Sequence, residues 1–405
     1  MKTQALVSLD EINDARQRLE DVAVRTPLDR SRALSQLTGG DVFIKCENLQ
    51  RTGSFKIRGA YNRISRLSDA ERKAGVVAAS AGNHAQGVAL AAALVGTPST
   101  VFMPTSASLP KVEATDRYGA EVVLTGKDFG EAFAAATRFS SEEGAVFVHP
   151  FDHPHVIAGQ GTIACEITEE MDDVGTVVVP VGGGGLVSGI AAAMKSLQPD
   201  ARVIGVQASG AAAFPPSLEK GEPVRLESMS TIADGIAANM PGDLTLAHVS
   251  ELVAEVVTVN DDAIARALLL AAERMKLVLE PAGAAGVAAM LAGEGDLKPP
   301  VVVLLSGGNI DPLLLQSVVR FGLGVEGRYF AFHTRIADKP GSLSALLQVI
   351  ADARANIVGV EHHRVGIAIH VGEVEVMLQL ETRGRDHIDE LTERLSEQGY
   401  VVEPI

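Results

Sequence analysis

Short β-branched runs recur along the first 320 residues of this chain, and Ala- and Leu-rich helical stretches separate them. The runs at 76–79, 100–103, 121–124, 176–180, 203–207 and 301–305 read as buried strands, several of them apolar on both faces. A strand without a polar face must be covered on both sides, as a parallel strand flanked by helices is. The segments between them, among them 86–94, 129–140, 187–196 and 262–275, read as helices. This alternation predicts an α/β fold built on mostly parallel sheets.

The pattern changes near residue 322, where Gly322, Gly324 and Gly327 punctuate a short link. Beyond it, 329–335 reads as a strand, and Leu343, Leu346, Leu347 and Ile350 fall at i, i+3, i+4 and i+7 on one helical face. The strand 356–364 follows, then Val374, Val376, Leu378 and Leu380 in strict alternation. Ile388, Leu391 and Leu395 mark a second helix, and 400–403 a last strand. The order β-α-β-β-α-β is ferredoxin-like. Two domains are therefore expected, 1–321 and 328–405.

A chain of 405 residues, 46% hydrophobic and 21% charged, can bury a large core. Its formal charge of −16 repels phosphate backbones and anionic lipid, so neither nucleic acid nor a membrane is an expected partner. Cys46 and Cys165 have no metal-ligand spacing and fit a reducing compartment. Residues 1–20 are polar with no apolar segment of signal-peptide type, and no continuous apolar stretch is long enough for a membrane span. A cytoplasmic enzyme is expected.

Four segments carry chemistry. In Thr52-Gly53-Ser54-Phe55-Lys56-Ile57-Arg58-Gly59-Ala60, the lysine has apolar neighbours on both sides. An apolar setting lowers a lysine's pKa and makes its amine nucleophilic, although a solvated surface lysine is the commoner meaning of such a stretch. Ser80-Ala81-Gly82-Asn83-His84 follows a strand and opens a helix, where unpaired N–H groups suit a carboxylate or phosphate. A plain strand-to-helix turn explains it equally well.

Gly182-Gly183-Gly184-Gly185-Leu186 lies between a strand and a helix. Glycines let the backbone approach an anion and aim successive N–H groups at it. The spacing does not meet G-x-G-x-x-G with a following acidic residue, so a dinucleotide site is not convincingly signalled. Ser306-Gly307-Gly308-Asn309 ends a strand, where ligands bind in open α/β sheets, and where turn chemistry also fits.

In this order and spacing the four segments resemble the fold type II (tryptophan synthase β-like) pyridoxal-phosphate enzymes, specifically the threonine ammonia-lyase family. Glu47-Asn48-Leu49-Gln50, Gly159-Gln160-Gly161-Thr162-Ile163, Ala233-Asp234-Gly235-Ile236-Ala237 and Glu280-Pro281-Ala282-Gly283-Ala284 extend the likeness over essentially the whole chain. The resemblance implies a catalytic domain over 1–321 with a smaller subdomain inserted at about residues 48–150. It implies that Lys56 forms a Schiff base with pyridoxal 5′-phosphate and moves the α-proton, with Phe55 also among the cofactor-binding residues. Asn83 would bind the ring hydroxyl, Gly182, Gly183, Gly184, Gly185 and Leu186 the phosphate, and Ser306 the pyridine nitrogen. Ser80, Ala81, Gly82 and His84 would line the substrate carboxylate. The implied reaction converts threonine to 2-oxobutanoate and ammonia, and serine to pyruvate.

Serine racemases are similar but usually carry a serine where this chain has Ala81, which cannot move a proton. They also often bind a divalent metal through carboxylates after the strand that here ends at Gln207; neither Gln207 nor 208–213 offers one, so no divalent metal site is expected there, while a monovalent ion stays open. Asp338-Lys339-Pro340-Gly341-Ser342-Leu343 resembles the signature of ACT domains, small amino-acid-binding modules. The resemblance implies an effector such as isoleucine or valine near Asp338, Pro340, Gly341 and Ser342, and a homodimer or homotetramer. His362-His363-Arg364 reads as a strand-face surface cluster.

Overall fold

The computed structural model describes residues 5–364 and 370–405; the first four residues of the polar N-terminal stretch lie outside them. It divides into two compact units, Met1–Asp311 and Pro312–Ile405.

The first unit is built on two sheets. The larger contains β1 (Leu28–Arg30), β2 (Val42–Lys45), β7 (Thr176–Pro180), β8 (Arg202–Ala208), β9 (Glu255–Val259) and β10 (Val301–Leu304), in the order β1-β2-β10-β7-β8-β9. Only β1 runs antiparallel to its neighbour. The smaller contains β3 (Val76–Ala79), β4 (Ser99–Met103), β5 (Glu121–Leu124) and β6 (Val146–Phe147), in the order β5-β4-β3-β6 and parallel throughout. In the chain, the smaller sheet falls between β2 and β7 of the larger one.

The doubly apolar runs are what bury these strands. β3, β4, β7 and β10 are buried at every position, because helices cover both sides. On one side of the large sheet, Val177 and Val179 pack with Ile157, Ile163, Val187 and Ile190. Those residues come from two helices, Pro154–Glu170 and Gly185–Leu197, that cross closely. A Cβ on Gly189 would stand 2.2 Å from the Ile157 carbonyl oxygen, so the crossing admits only glycine there. Cys46 and Cys165 are buried free thiols, and burial pushes the Cys46 thiol up to about 12. Among the described residues, no helix is long and apolar enough to cross a membrane.

The second unit opens with a helix, Pro312–Val325. An antiparallel sheet follows, made of β11 (Tyr329–Ala337), β12 (Asn356–His363), β13 (Glu373–Glu381) and β14 (Glu403–Pro404) in the order β12-β13-β11-β14. Helices Ser342–Asp352 and Arg385–Glu397 supply Leu346, Ile350, Leu391 and Leu395 to a core shared with Phe332, Val376, Leu378 and Leu380. The alternation along β13 places its valines and leucines on that one face.

Two local expectations change. Gly322 and Gly324 lie inside the Pro312–Val325 helix and do not form a link. Interior glycine costs a helix only about 1 kcal/mol, too little to end one, and Gly322 is itself buried there together with Val318. The last strand contracts to Glu403–Pro404, which pairs with Phe332 and His333. Ahead of it Gly399 turns the chain at φ +84°, and Tyr400 and Val402 pack against the core instead of joining the ladder.

Candidate active site

Lys56 opens the helix Lys56–Ile64, and the next residue, Ile57, is locked in the core of the smaller sheet. Ahead of it, Ser54 bridges Gly307, and Phe55 N–H donates to the Ser306 carbonyl at 3.3 Å. The lysine is thereby fastened to the carboxyl end of β10. Its Nζ donates to the Pro150 carbonyl at 3.1 Å and stands 5.1 Å from the centre of the Phe55 ring. Burial lowers its pKa to about 8, against a smaller opposing pull from Glu280.

Ser306 is buried, and its hydroxyl makes no hydrogen bond to any described residue. The hydroxyl itself is not enclosed, so a ligand atom can reach it.

Asn83 begins the helix Asn83–Val95. Its Nδ2 donates to Glu280 Oε1 at 2.6 Å, and its Oδ1 accepts from Asn309 Nδ2 at 2.8 Å. Just ahead, Gly82 N–H donates to Ser80 Oγ at 3.1 Å, whereas the N–H groups of Ala81, Asn83 and His84 donate to no described residue. A Cβ on Gly82 would meet nothing within 4 Å, so the loop borders open space. The Ala81 side chain packs against the core. The His84 ring turns away from that space: its Nε2–H donates to the Val148 carbonyl at 2.8 Å. Burial and the nearby Lys56 charge lower its pKa to about 3, so the ring stays neutral. What His84 offers a ligand is its backbone N–H.

The glycine run lies between β7 and the helix Gly185–Leu197, with Gly184 at φ +98°. The N–H groups of Gly182, Gly183, Gly184, Gly185 and Leu186 donate to no described residue. The loop is also pressed from behind. A Cβ on Gly183 would stand 2.3 Å from the Phe151 ring, and one on Gly184 would stand 2.6 Å from the Phe214 ring. Thr245 Oγ donates to the Gly183 carbonyl at 2.7 Å, and Asp152 Oδ1 accepts from Thr245 N–H at 3.0 Å. The cradle is therefore rigid.

These pieces meet in one place. Pro150 touches Lys56, its neighbour Phe151 supports the glycine run, and Glu280 reaches both Asn83 and the space beside Gly307. Glu280 is buried, and burial with the nearby Asp234 charge raises its pKa to about 7. Motif reading does not single out Glu280, Asn309 or Pro150 for a role. The contacts of Glu280 and Asn309 with Asn83 span 197 and 226 positions, and no local pattern signals them.

Among the described residues, no group of three or more His, Cys, Asp or Glu could hold a metal ion. Gln207 is consumed structurally: its Oε1 accepts from Phe214 N–H at 2.9 Å, and its Nε2 donates to the Val181 carbonyl at 3.4 Å.

The expected effector residues belong to the second unit. Asp338, Pro340 and Gly341 form an exposed turn between β11 and the helix Ser342–Asp352, with Gly341 at φ +93° as its N-cap. Asp338 Oδ1 accepts from Arg364 Nη2 at 3.2 Å, and the N–H groups of Leu343 and Ser344 donate to no described residue.

Residues 19–307 match the family model described as pyridoxal-phosphate dependent enzyme. The chain is 48% identical to an L-threonine ammonia-lyase of Thermotoga maritima, over 98% of this chain and 99% of that one. It is 46% identical to the catabolic L-threonine dehydratase TdcB of Escherichia coli K12, over 78% of this chain and 97% of that one. A solved maize serine racemase superposes with a TM-score of 0.74 at 36% identity, covering 80% of this chain and all of that one.

Proposed function

This chain belongs to the pyridoxal-phosphate dependent enzymes and is an L-threonine ammonia-lyase, and from that premise we propose how its residues divide the work and what its second unit does. When bound, pyridoxal phosphate supplies an electron-withdrawing ring that acidifies the α-hydrogen of an amino acid. The residues fit that group: an amine of lowered pKa, a cradle of five N–H groups that donate to no described residue, and a Ser306 hydroxyl left open to a ligand atom.

Lys56 Nζ holds the cofactor and carries the proton taken from the substrate α-carbon. With a pKa of about 8, roughly one amine in ten is neutral at pH 7, several hundred times more than for an ordinary lysine. Gly182, Gly183, Gly184, Gly185 and Leu186 bind the phosphate through their N–H groups, at the start of a helix whose dipole favours an anion. Phe55 borders the cofactor beside Lys56. Asn83 binds the ring oxygen.

Ser306 hydrogen-bonds the ring nitrogen. A serine hydroxyl does not hold that nitrogen protonated as a carboxylate would, which weakens the electron sink and favours elimination over transamination. The free N–H groups of Ala81, Asn83 and His84, with Ser80 and Gly82 shaping the loop, hold the substrate carboxylate at a helix N-terminus. Threonine then loses its β-hydroxyl as water, and hydrolysis of the resulting free imine by a second water leaves 2-oxobutanoate and ammonia; serine leaves pyruvate by the same route. The convergence of these pieces carries this reading: the Lys56 segment is fastened to Ser306, Asn83 is bonded to Glu280, and Pro150 and Phe151 link Lys56 to the glycine cradle.

The maize racemase likeness raises a second possibility, serine racemisation. Ala81 argues against it, because a methyl group cannot deliver a proton to the opposite face of the α-carbon. Chiral analysis of serine after incubation should find little D-serine; rapid accumulation of D-serine overturns the assignment.

The second unit is an ACT-type sensor. Its ferredoxin-like element order and the turn at Asp338, Pro340, Gly341 and Ser342, ahead of unpaired N–H groups, support amino-acid binding there and pairing of chains into a homodimer or homotetramer. The enzyme works in the cytoplasm on this reading, which the composition and buried free thiols support. Threonine kinetics with and without isoleucine or valine test it. Inhibition by isoleucine supports a biosynthetic duty, and kinetics unmoved by either amino acid overturn the sensor assignment.

A further inference from the structure

The amide of Asn83 can contribute to cofactor binding only if its N–H edge, and not its carbonyl, faces the ring oxygen. An isolated asparagine has no preference, since its two orientations are nearly isosteric. Here both atoms are committed. Oδ1 accepts from Asn309 Nδ2 at 2.8 Å, and one Nδ2 hydrogen goes to Glu280 Oε1 at 2.6 Å, which leaves the second hydrogen free. Asn309 cannot adapt, because Nδ2 also donates to the Thr52 carbonyl at 2.6 Å. Glu280 is held too: its N–H donates to the Gly307 carbonyl at 3.1 Å, and its carboxylate occupies the space where a Cβ of Gly307 would stand, 2.2 Å away.

Resting on the pyridoxal-phosphate reading above, we propose that Glu280 and Asn309 are positioning residues that lock the Asn83 amide with one N–H aimed at the cofactor's ring oxygen. Turning the amide over would set its oxygen against the Glu280 carboxylate and its NH2 against that of Asn309. Two hydrogen bonds would become two repulsions.

The lock has a built-in pH dependence. Ionised Glu280 only accepts hydrogen bonds and opposes the turned amide, whereas protonated Glu280 can donate to it, which leaves Asn309 as the sole remaining opposition and loosens the lock. The charged groups facing Glu280 are Asp234, Lys111 and Lys56. Burial and Asp234 raise its pKa to about 7, with Asn83, Lys111 and Lys56 pulling the other way, so the change falls near neutrality.

The experiment loads the full chain with pyridoxal phosphate and follows the visible absorbance band across neutral pH, together with cofactor affinity by titration. Wild type should gain a band that Lys56→Ala lacks; without that difference the cofactor reading itself fails. Given the band, wild type should show an absorbance step near neutrality. Glu280→Gln, isosteric and able to satisfy either amide orientation at any pH, should abolish that step. Asn309→Ala should bind the cofactor about tenfold more weakly, the effect of losing one orienting hydrogen bond, while keeping wild-type circular dichroism. If Glu280→Gln titrates as wild type does, or Asn309→Ala binds the cofactor with unchanged affinity, the lock does not exist.

Discussion

Two residues beyond Lys56, on the same helix, Arg58 is fully buried in a network of four charges. Its Nε and Nη2 grip the two oxygens of buried Glu47 at 2.9 and 2.8 Å, and Nη1 meets Glu166 Oε1 at 2.6 Å. Lys45, equally buried, pairs with Glu166 Oε2 at 2.7 Å. Two positive and two negative groups therefore cancel. Arg58→Met keeps much of the volume and removes one cation. Lys45 still serves Glu166, but Glu47 is left with only the Thr26 hydroxyl at 2.6 Å.

An uncompensated buried charge costs about 3–5 kcal/mol, and the unit holding Lys56 should lose that much stability. Calorimetric unfolding of wild type, Arg58→Met, Glu47→Gln and the double variant measures it. Because the cost lies in the stranded carboxylate, Glu47→Gln on the Arg58→Met background should recover about 2 kcal/mol, a coupling typical of contacting charges. Simple additivity of the two substitutions, or a loss below about 1 kcal/mol for Arg58→Met, refutes the reasoning.

Gly183→Ala sets a Cβ against the Phe151 ring at 2.3 Å and displaces the cradle, so cofactor affinity measured by titration should fall about tenfold or more. The rate of cofactor uptake by the apoenzyme should rise about tenfold per pH unit below pH 8 and level off above it, as Lys56 becomes neutral at a pKa of about 8; stopped-flow absorbance checks this, and a flat profile counts against it. His84 is held neutral with its pKa lowered to about 3 from 6.5, so the unfolded chain takes up the proton first. Stability should then fall with pH from about 6.5 downward by up to ~1.4 kcal/mol per unit, and urea midpoints should show a shallower acid slope in His84→Gln.

The doubly apolar runs announced β3, β4, β7 and β10, because total burial leaves its mark on every residue of a strand. Glycine punctuation near residue 322 misled, since two interior glycines cost helix Pro312–Val325 only about 1 kcal/mol each and do not end it. The last strand shortened because Tyr400 and Val402 are drawn into the core. In the candidate site, Lys56, Asn83, the glycine run and Ser306 stand out in the sequence because each sits in a local pattern tied to a strand end or helix start. Glu280 and Asn309 do not, because what matters about them is whom they face across the fold. The inward turn of the His84 ring was equally hidden, since the Val148 carbonyl that holds it lies 64 positions away.

The assignment rests in the end on Lys56 acting on threonine, and a ketoacid assay reaches it directly. Purified protein loaded with pyridoxal phosphate should convert L-threonine to stoichiometric 2-oxobutanoate and ammonia, and Lys56→Ala, still folded, should release neither. Absence of ketoacid from threonine and serine with wild type, or undiminished release by Lys56→Ala, contradicts it.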